Sequence, residues 1–432
     1  MAKKMLLFNQ TNLLKSFLII LFIIGFQDIS YSTTNNKLID TVGFHRYKGK
    51  VVDSKTKRKL IFASLNVNET NISTVTNSNG EFLLKVPKKI INKTVTISFL
   101  GYTSKVLNLT DLKEKSVIKL ETHIEELAEV EITVKDAKTL IQEVLKRKKD
   151  NYFDELTTMT GFYRETIKKR RSYVSLSEAV VEINKQPYTN SKRDILKIHK
   201  SRKSTDYRRL DTIAFKLKGG PFNLIYVDLI KNPNFFFSEE MFDIYDFTFD
   251  KSTKIDNRPI YVVKFKQKPH ITDPYFYGKL YIDAQSLALT NANFKLNIEN
   301  KEKASKSFIV KKPKGARVYP IEVSYQIDYK SKNHKWYNSY SRIQLGFKIN
   351  WDKKLFNTIY HTTIEMAITN WEKNTTNKLI KPKDRLRRSV IISDETSGFS
   401  DPEFWGEYNV IEPEKPIESA IKKIQKQLKK IK

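Results

Sequence analysis

Cysteine is absent from the 432 residues of this sequence, and histidine is scarce, with six copies. Without cysteine the chain has no disulfide framework and no thiol nucleophile, and it cannot be a lipoprotein anchored through an N-terminal Cys. A Gly-x-Ser-x-Gly elbow, a P-loop and a His-Glu-x-x-His zinc motif are also missing. We therefore predict a non-enzymatic protein without a cofactor, and the sequence names neither a substrate nor a reaction.

Long apolar runs are missing after the first 30 residues, so the sequence predicts no membrane-spanning helix beyond them. Residues 1–32 resemble a secretory signal, because a basic end precedes an apolar core from Ser16 to Phe26. The small residues Ser30 and Ser32 offer a cleavage point, and an uncleaved N-terminal anchor is the alternative. In both cases we expect an exported protein in the periplasm or associated with the outer membrane.

Charge of one sign dominates: 78 Lys and Arg against 48 Asp and Glu give a formal net charge of +30. Such a positive field favours anionic partners such as lipid headgroups, polyanionic glycans or nucleic acid. The charge is spread along the chain, however, and no zinc finger, helix-turn-helix or RNA-binding aromatic motif accompanies it. We therefore predict no nucleic-acid partner. We expect the partner to be an envelope protein, a glycan or a lipid. The oligomeric state stays open.

Residues 44–122 contain short β-type runs separated by turn residues, which is the pattern of a small β-sandwich of seven strands. Apolar residues alternate along these runs, as in strands with one buried face. The stretch from Asn77 to Gly80 predicts a turn, because Asn and Gly tolerate positive φ angles. Pro87 is expected to end the following strand, because proline cannot donate to the ladder.

The same residues resemble the carboxypeptidase regulatory-like domain of Bacteroidetes envelope proteins, a prealbumin-like β-sandwich. The matching pieces are Gly49–Asp53, Ala63–Val67, Asn79–Phe82 with Val86-Pro87, and Leu100–Tyr102. The resemblance implies an accessory domain without a peptidase site. It implies a structural role for the motif residues Gly49, Asp53, Gly80, Phe82, Pro87, Gly101 and Tyr102.

Residues 123–152 are predicted to connect two domains. The alternating segment 123–134 resembles the one that follows the same sandwich in TonB-linked outer-membrane receptors; a last strand with a linker is the alternative. That resemblance implies an accessory of TonB-dependent uptake. Residues 136–150 predict an amphipathic helix, with apolar residues at three- and four-residue spacing and Asp136 near its start.

Residues 153–412 alternate as antiparallel strands and predict one larger, curved sheet. Val174, Leu176 and Val180 are expected on one face, and alternate residues from Ile321 to Tyr329 form a second row. The hairpin around 278–294 resembles the half-barrel of periplasmic lipoprotein carriers. At the level of the fold, this implies a lipid or small-ligand carrier if the domain encloses a hydrophobic cavity.

The tail, residues 413–432, predicts an amphipathic helix with an Ile/Leu stripe and a lysine-rich face. Two interpretations remain open for it. The stripe would dock on the β-domain with the lysines in solvent, or the helix would contact an anionic membrane surface.

Two sets of residues are candidate sites. His123 and Glu126 have the His-x-x-Glu spacing of a metallocarboxypeptidase zinc motif, which would make the protein a peptide or glycan hydrolase; a surface pair is the alternative. Phe404, Trp405 and Tyr408 concentrate aromatic rings that could stack on sugars, and packing in a core or lid is the alternative.

Overall fold

The computed structural model describes most of the chain after residue 42. The predicted signal (1–32), the segment with His123 and Glu126, and most of the predicted tail helix lie outside the described residues. No helix within the described residues is long and apolar enough to cross a membrane. The described residues are 43–113, 115–122, 136–205, 219–235, 237–255, 258–308, 315–352, 356–395, 404–414, 417 and 419.

The N-terminal unit is a sandwich of seven strands, as predicted. One sheet has the order β4-β1-β7 and the other β3-β2-β5-β6. Side chains of alternate residues, among them Leu65, Phe82 and Ile97, fill the core between the sheets. The strands are β1 (Phe44–Asp53), β2 (Ser64–Val67), β3 (Ser73–Val75), β4 (Glu81–Pro87), β5 (Thr94–Ser98), β6 (Lys105–Asn108) and β7 (Ser116–Leu120).

The motif residues hold this sandwich together. A Cβ on Gly49 would clash with the backbone oxygen of Ser116 and lie 2.7 Å from the Phe82 ring, so only glycine fits there. Gly80 has φ +71° in the turn before β4, a conformation that favours glycine. The carboxylate of Asp53 accepts hydrogen bonds from the backbone N–H of Thr56 and from the Tyr102 hydroxyl, and these lower its pKa to about 2.

The same motif has two further members. Pro87 is the last residue of β4, as predicted, and Gly101 precedes Tyr102 with φ +80°. The motif therefore specifies turns and close packing in the sandwich.

The predicted connecting helix is present in two pieces, α1 (Ala137–Lys146) and α2 (Lys148–Asn151). Asp136 caps α1, because its side chain accepts a hydrogen bond from the backbone N–H of Thr139 at 2.8 Å. The apolar stripe of α1 is buried in the core of the larger unit.

Ten strands form the larger unit, an open antiparallel sheet with the order β10-β9-β8-β17-β16-β15-β14-β13-β12-β11. Strands β10 and β11 are its two edges, so the sheet is not closed, which agrees with the predicted half-barrel-like sheet. The strands are β8 (Thr157–Lys169), β9 (Ser172–Lys185), β10 (Ile195–Thr205), β11 (Tyr245–Ile255), β12 (Arg258–Gln267), β13 (Phe276–Asp283), β14 (Leu289–Leu296), β15 (Ala316–Lys332), β16 (Lys335–Trp351) and β17 (Thr358–Lys373).

The two faces of this sheet differ in chemistry, because side chains alternate along each strand. The apolar face buries a large core, in which the rings of Phe294 and Tyr325 stack at 4.8 Å. Helix α1 and the segment 219–244 between β10 and β11 contribute Leu140 and Leu224 to the same core. The other helices are α3 (Pro221–Tyr226), α4 (Glu239–Ile244), α5 (Lys301–Phe308) and α6 (Ile392–Glu395).

The opposite, polar face carries amides, carboxylates and basic side chains in cross-strand rows. Part of it is covered by a chain segment at 404–414, which we call the strap, and by the sandwich. The side-chain amide of Asn409 in the strap makes two hydrogen bonds with the backbone of Lys85 in the sandwich. It accepts one from the N–H at 2.8 Å and donates one to the carbonyl oxygen at 2.9 Å. Val75, Phe162, Tyr340 and Trp405 belong to one small core at this junction.

Two predictions about which residues share a face were wrong at β-bulges. The register of β9 shifts beside Val174, so Val174 joins the apolar-face core whereas Leu176 packs with Ile417. The register of β15 shifts at Ile321, which is 37% exposed while Val323 is buried. A bulge adds one residue to one strand and reverses the alternation beyond it.

Candidate functional site

A cavity of about 370 Å³ lies between the four-stranded sheet of the sandwich and the polar face of the ten-stranded sheet. We call it the interdomain cavity. Its volume is within the range of about 300–1,000 Å³ that is common for small-ligand sites. Its walls combine polar side chains with apolar and aromatic ones. The polar side chains include Ser64, Asn66 and Ser98 from the sandwich, and Arg258, Asp283, Asn291, Asn293, Gln326, Asp328 and Lys330 from the sheet.

The sandwich supplies the roof of the cavity through the outward-facing residues of β2 and β5. Leu65 and Val67 point into the sandwich core, so Ser64 and Asn66 point out toward the cavity. The hydroxyl oxygen of Ser64 is buried and, among the described residues, has no hydrogen-bond partner. The roof therefore contains one polar group whose bonding capacity is unused.

The floor is built around Asp328 of β15. Asn291 on β14 and Gln326 on β15 donate hydrogen bonds to its two carboxylate oxygens, at 2.7 and 3.0 Å. Protein surrounds Asp328 except where it lines the cavity, and this burial raises its pKa to about 6 against the effect of the two amides.

Charges in the cavity are largely compensated. The guanidinium group of Arg258 donates two hydrogen bonds to Asp283, at 2.6 and 2.8 Å. Lys330 donates to the side-chain oxygen of Asn66 at 2.7 Å, which also ties the floor to the roof. The cavity therefore offers donors and acceptors without a strong net field.

Aromatic rings form part of the walls. Phe62 of the sandwich stacks on Tyr340 of β16 with ring centres 5.1 Å apart. The guanidinium carbon of Arg342 lies 4.5 Å from the centre of the Phe62 ring, and that of Arg258 lies 5.4 Å from Trp336. These contacts fix the ring positions.

The polar face continues beyond the sandwich as a groove of about 290 Å³. Asn293 and Gln326 line both the groove and the interdomain cavity. Further along, the groove is lined by Ser324, Gln344 and Tyr277, which is 44% exposed. A ligand longer than the cavity would find amides and hydroxyls along this path.

Comparison with protein families identifies the N-terminal unit. Residues 47–154 match the family model of the CarboxypepD_reg-like domain. The chain thus carries a CarboxypepD_reg-like domain. In this structure that domain supplies the roof of the interdomain cavity, and the matched region extends to the end of α2 and the residues just beyond it. No curated protein matches the chain.

Three solved structures resemble the chain, each with a low TM-score. A DUF1329 family protein from Desulfovibrio piger is 10% identical, with a TM-score of 0.24, and the alignment covers 56% of this chain and 95% of that one. A LolA superfamily protein from Nitrosomonas europaea is 7% identical, with a TM-score of 0.23, and the alignment covers 60% of this chain and all of that one. Lipovitellin is 10% identical, with a TM-score of 0.25, and the alignment covers 54% of this chain and 27% of that one.

The aromatic residues that we singled out in the sequence lie in the strap, away from the cavity lining. Trp405 is 5% exposed and packs edge-to-face on Phe162, while the guanidinium of Arg202 lies 4.8 Å from its ring. Phe404 packs against Trp405, and the Tyr408 hydroxyl lies 2.7 Å from a ring nitrogen of His199. Stacking of these rings on a ligand stays a prediction, and it would require the strap to move.

The metal-site prediction concerns His123 and Glu126, which lie outside the described residues. Within the part of the chain that is described, no group of three or more His, Asp or Glu side chains could hold a metal ion. The zinc hypothesis therefore stays a prediction.

Sequence reasoning missed the interdomain cavity. Its floor residues Asn291, Asn293 and Gln326 occupy outward positions of alternating strands, where polar residues are expected on any solvent-facing sheet. The informative signal was the concentration of amides on two neighbouring strands, where lysine and glutamate are the usual surface residues.

Proposed function

We propose that this protein is a non-enzymatic binding module that holds a neutral, hydroxyl-rich ligand, such as a short glycan, in the interdomain cavity. The observation that carries the proposal is the cavity itself. It brings amides, a carboxyl group and hydroxyls from two domains to within reach of one small ligand, beside aromatic rings. Binding sites combine a few placed polar groups with aromatic walls in this way.

Charge compensation supports a neutral ligand over an anionic one. Asp283 is paired with Arg258, and the positive charge of Lys330 opposes the negative charge of Asp328 in the same cavity. The Asp328 carboxylate also accepts hydrogen bonds from the amides of Asn291 and Gln326, which occupy both of its oxygens. A neutral polyol can exchange hydrogen bonds with such groups without burying an unpaired charge.

We propose further that the module works in the cell envelope after export, as the sequence of residues 1–32 predicts. A lipid carrier, a hydrolase and an accessory of TonB-dependent uptake remain alternative proposals. For the lipid carrier, the aromatic rings of the apolar face would have to separate, since Phe276, Phe294 and Tyr325 pack on one another in this structure.

The first test is native mass spectrometry of the full chain from its own envelope fraction, with metal analysis of the same sample. A co-purifying glycan or polyol supports the proposal. A co-purifying lipid favours the carrier, and stoichiometric zinc favours the hydrolase and returns attention to His123 and Glu126.

A second test locates the ligand by calorimetric titration of glycans into matched variants. Asn293→Ala removes an amide shared by the cavity and the groove, so we expect binding to weaken about fivefold, as for the loss of one hydrogen bond. Asn108→Ala removes an exposed amide from β6 and should leave the affinity unchanged. Equal affinities of the two variants, with unchanged melting temperatures, would exclude the cavity as the site.

A further inference from the structure

A second pocket has a volume of about 250 Å³, and its charged groups are mainly basic. We call it the basic pocket. It forms where the loop between β9 and β10 meets α3 and the segment that precedes α6. Its basic residues are Lys192, Arg193, Lys231 and Arg388.

Three of these cations are not neutralised. Lys192, Arg193 and Arg388 are exposed, and within the described residues their side chains have no carboxylate partner. The acidic residue of the pocket, Asp194, is buried and already paired with Lys185 at 3.0 Å. The pocket therefore presents a net positive charge that a bound anion would compensate.

Internal hydrogen bonds fix the shape of the pocket. The ammonium group of Lys231 donates to the backbone oxygens of Pro187 and Asn190, at 2.5 and 2.8 Å, and so holds the loop that carries Lys192 and Arg193. Burial lowers the pKa of Lys231 to about 8, and it remains mostly protonated at pH 7. With its donors used in this way, Lys231 positions the loop and leaves anion binding to the other three cations.

The opposite wall is fixed as well. The backbone N–H of Leu386 donates to the oxygen of Leu196 at 2.7 Å, and that of Gly219 donates to Val390 at 2.8 Å. These bonds attach the chain on both sides of Arg388 to the ten-stranded sheet and to the start of α3. The backbone around the pocket is thus held in place, so that binding has to order the three cationic side chains alone.

We propose that the basic pocket binds a phosphate group through Lys192, Arg193 and Arg388. Two guanidinium groups match the oxygens of a phosphate bidentately, and an ammonium group adds a point charge. The phosphate can belong to a lipid headgroup or to a soluble phosphate ester. Tyr226 in the pocket wall is 58% exposed, and exposed lysines at 378, 381 and 383 precede Arg388 in the sequence; both features are compatible with a headgroup.

The test uses the full chain and two double variants with equal charge change. Arg193→Gln with Arg388→Gln removes the guanidinium groups from the pocket. Lys381→Gln with Lys383→Gln removes two exposed cations from the same segment, and neither residue lines the pocket. Because all four side chains are exposed, we expect both variants to keep the melting temperature of the wild type.

Two binding measurements separate the sources of the phosphate. Inorganic phosphate is titrated by calorimetry, and sedimentation measures binding to phosphatidylcholine vesicles with and without phosphatidylglycerol. We expect the pocket variant to bind about tenfold more weakly or worse, and the lysine variant to bind within about twofold of the wild type. Binding of inorganic phosphate identifies a soluble ligand, and binding of phosphatidylglycerol vesicles alone identifies a headgroup.

Two results would overturn the proposal. Equal losses in the two variants would mean that the surface attracts anions through its overall charge, without a defined pocket. Absence of binding in both assays at low salt would mean that the three cations serve no anion. Neither result depends on the interdomain cavity, so the proposed function is tested separately.

Discussion

Two buried glutamates on paired strands, one on each face of the ten-stranded sheet, differ in the partners of their carboxylates. Glu178 of β9 is on the polar face and accepts hydrogen bonds from Arg164 and Arg202, both at 2.7 Å. Glu165 of β8 is on the apolar face, and within the described residues its side-chain partner is the hydroxyl of Tyr163 at 2.7 Å. The first carboxylate has two cationic partners, whereas the second has none in the part of the chain that the structure describes.

Their pKa values differ in direction for this reason. Burial opposes ionisation of Glu178, but the two guanidinium groups outweigh it and lower the pKa. Burial raises the pKa of Glu165 to about 7, and the hydrogen bond from Tyr163 only partly offsets this. The comparison teaches that a buried carboxylate keeps its charge where neighbouring strands supply guanidinium groups, as they do for Glu178, and tends to bind a proton where they do not, as for Glu165.

The largest expected effect is on the polar face. Glu178→Ala leaves Arg164 and Arg202 buried without their shared carboxylate, so we expect a loss of about 3–5 kcal/mol in the free energy of unfolding. Urea denaturation measures it. Glu182→Ala, on the same face of β9 but only half-buried, is the control and should cost less than about 1 kcal/mol. Similar losses for the two variants would contradict the role that we assign to the charge cluster.

A smaller effect, of opposite sign, is expected on the apolar face. Folding raises the pKa of Glu165 from 4.5 to about 7. Between pH 4.5 and pH 7 the folded state therefore binds a proton that the unfolded state has released. Wild-type stability should therefore fall as the pH rises through this window, by up to about 3 kcal/mol. Glu165→Gln removes the titrating group, so it should be more stable than the wild type at pH 8 and equal to it at pH 4.

Thermal and urea unfolding across this pH range provide the measurement. Glu121→Gln, which changes an exposed carboxylate after β7, is the matched control and should show no gain at pH 8. A Glu165→Gln variant whose advantage did not grow with pH would show that Glu165 has a charged partner after all.

The smallest expected effect is on the strap that covers the polar face. Asn409→Ala removes two hydrogen bonds to the backbone of Lys85, so we expect a loss of about 1–2 kcal/mol. Hydrogen exchange should become faster in the strap and in β4 while the amides of β13 and β14 keep their protection. Glu407→Ala, an exposed change in the same strap, should alter neither. Faster exchange throughout the sheet would mean that the two faces do not open independently.

Turn and pairing signals made much of the fold predictable. Gly80 and Pro87 mark a turn and a strand end, and the spacing of apolar residues in 136–150 marks a helix, because these features depend on neighbouring residues. The predictions failed beside Val174 and Ile321, where a bulge reverses the alternation of side chains. A bulge depends on the partner strand, which lies far away in the sequence.

The candidate site was much less predictable. Ser64 and Asp328 are 264 positions apart and form one cavity only because the CarboxypepD_reg-like domain packs on the polar face. For Trp405 the sequence left sugar stacking and core packing open, and its burial is decided by Phe162 and Arg202, with which it shares no local pattern.

The sequence by itself determined the two β-rich units, the order of their elements and the family motif, since alternation, turns and caps are local properties of the chain. Only the tertiary structure decided which outward-facing polar residues became a cavity, which carboxylates found cations and which cations stayed unpaired. The physical reason is that burial, desolvation and charge pairing depend on distances between side chains, and these are set when distant segments pack.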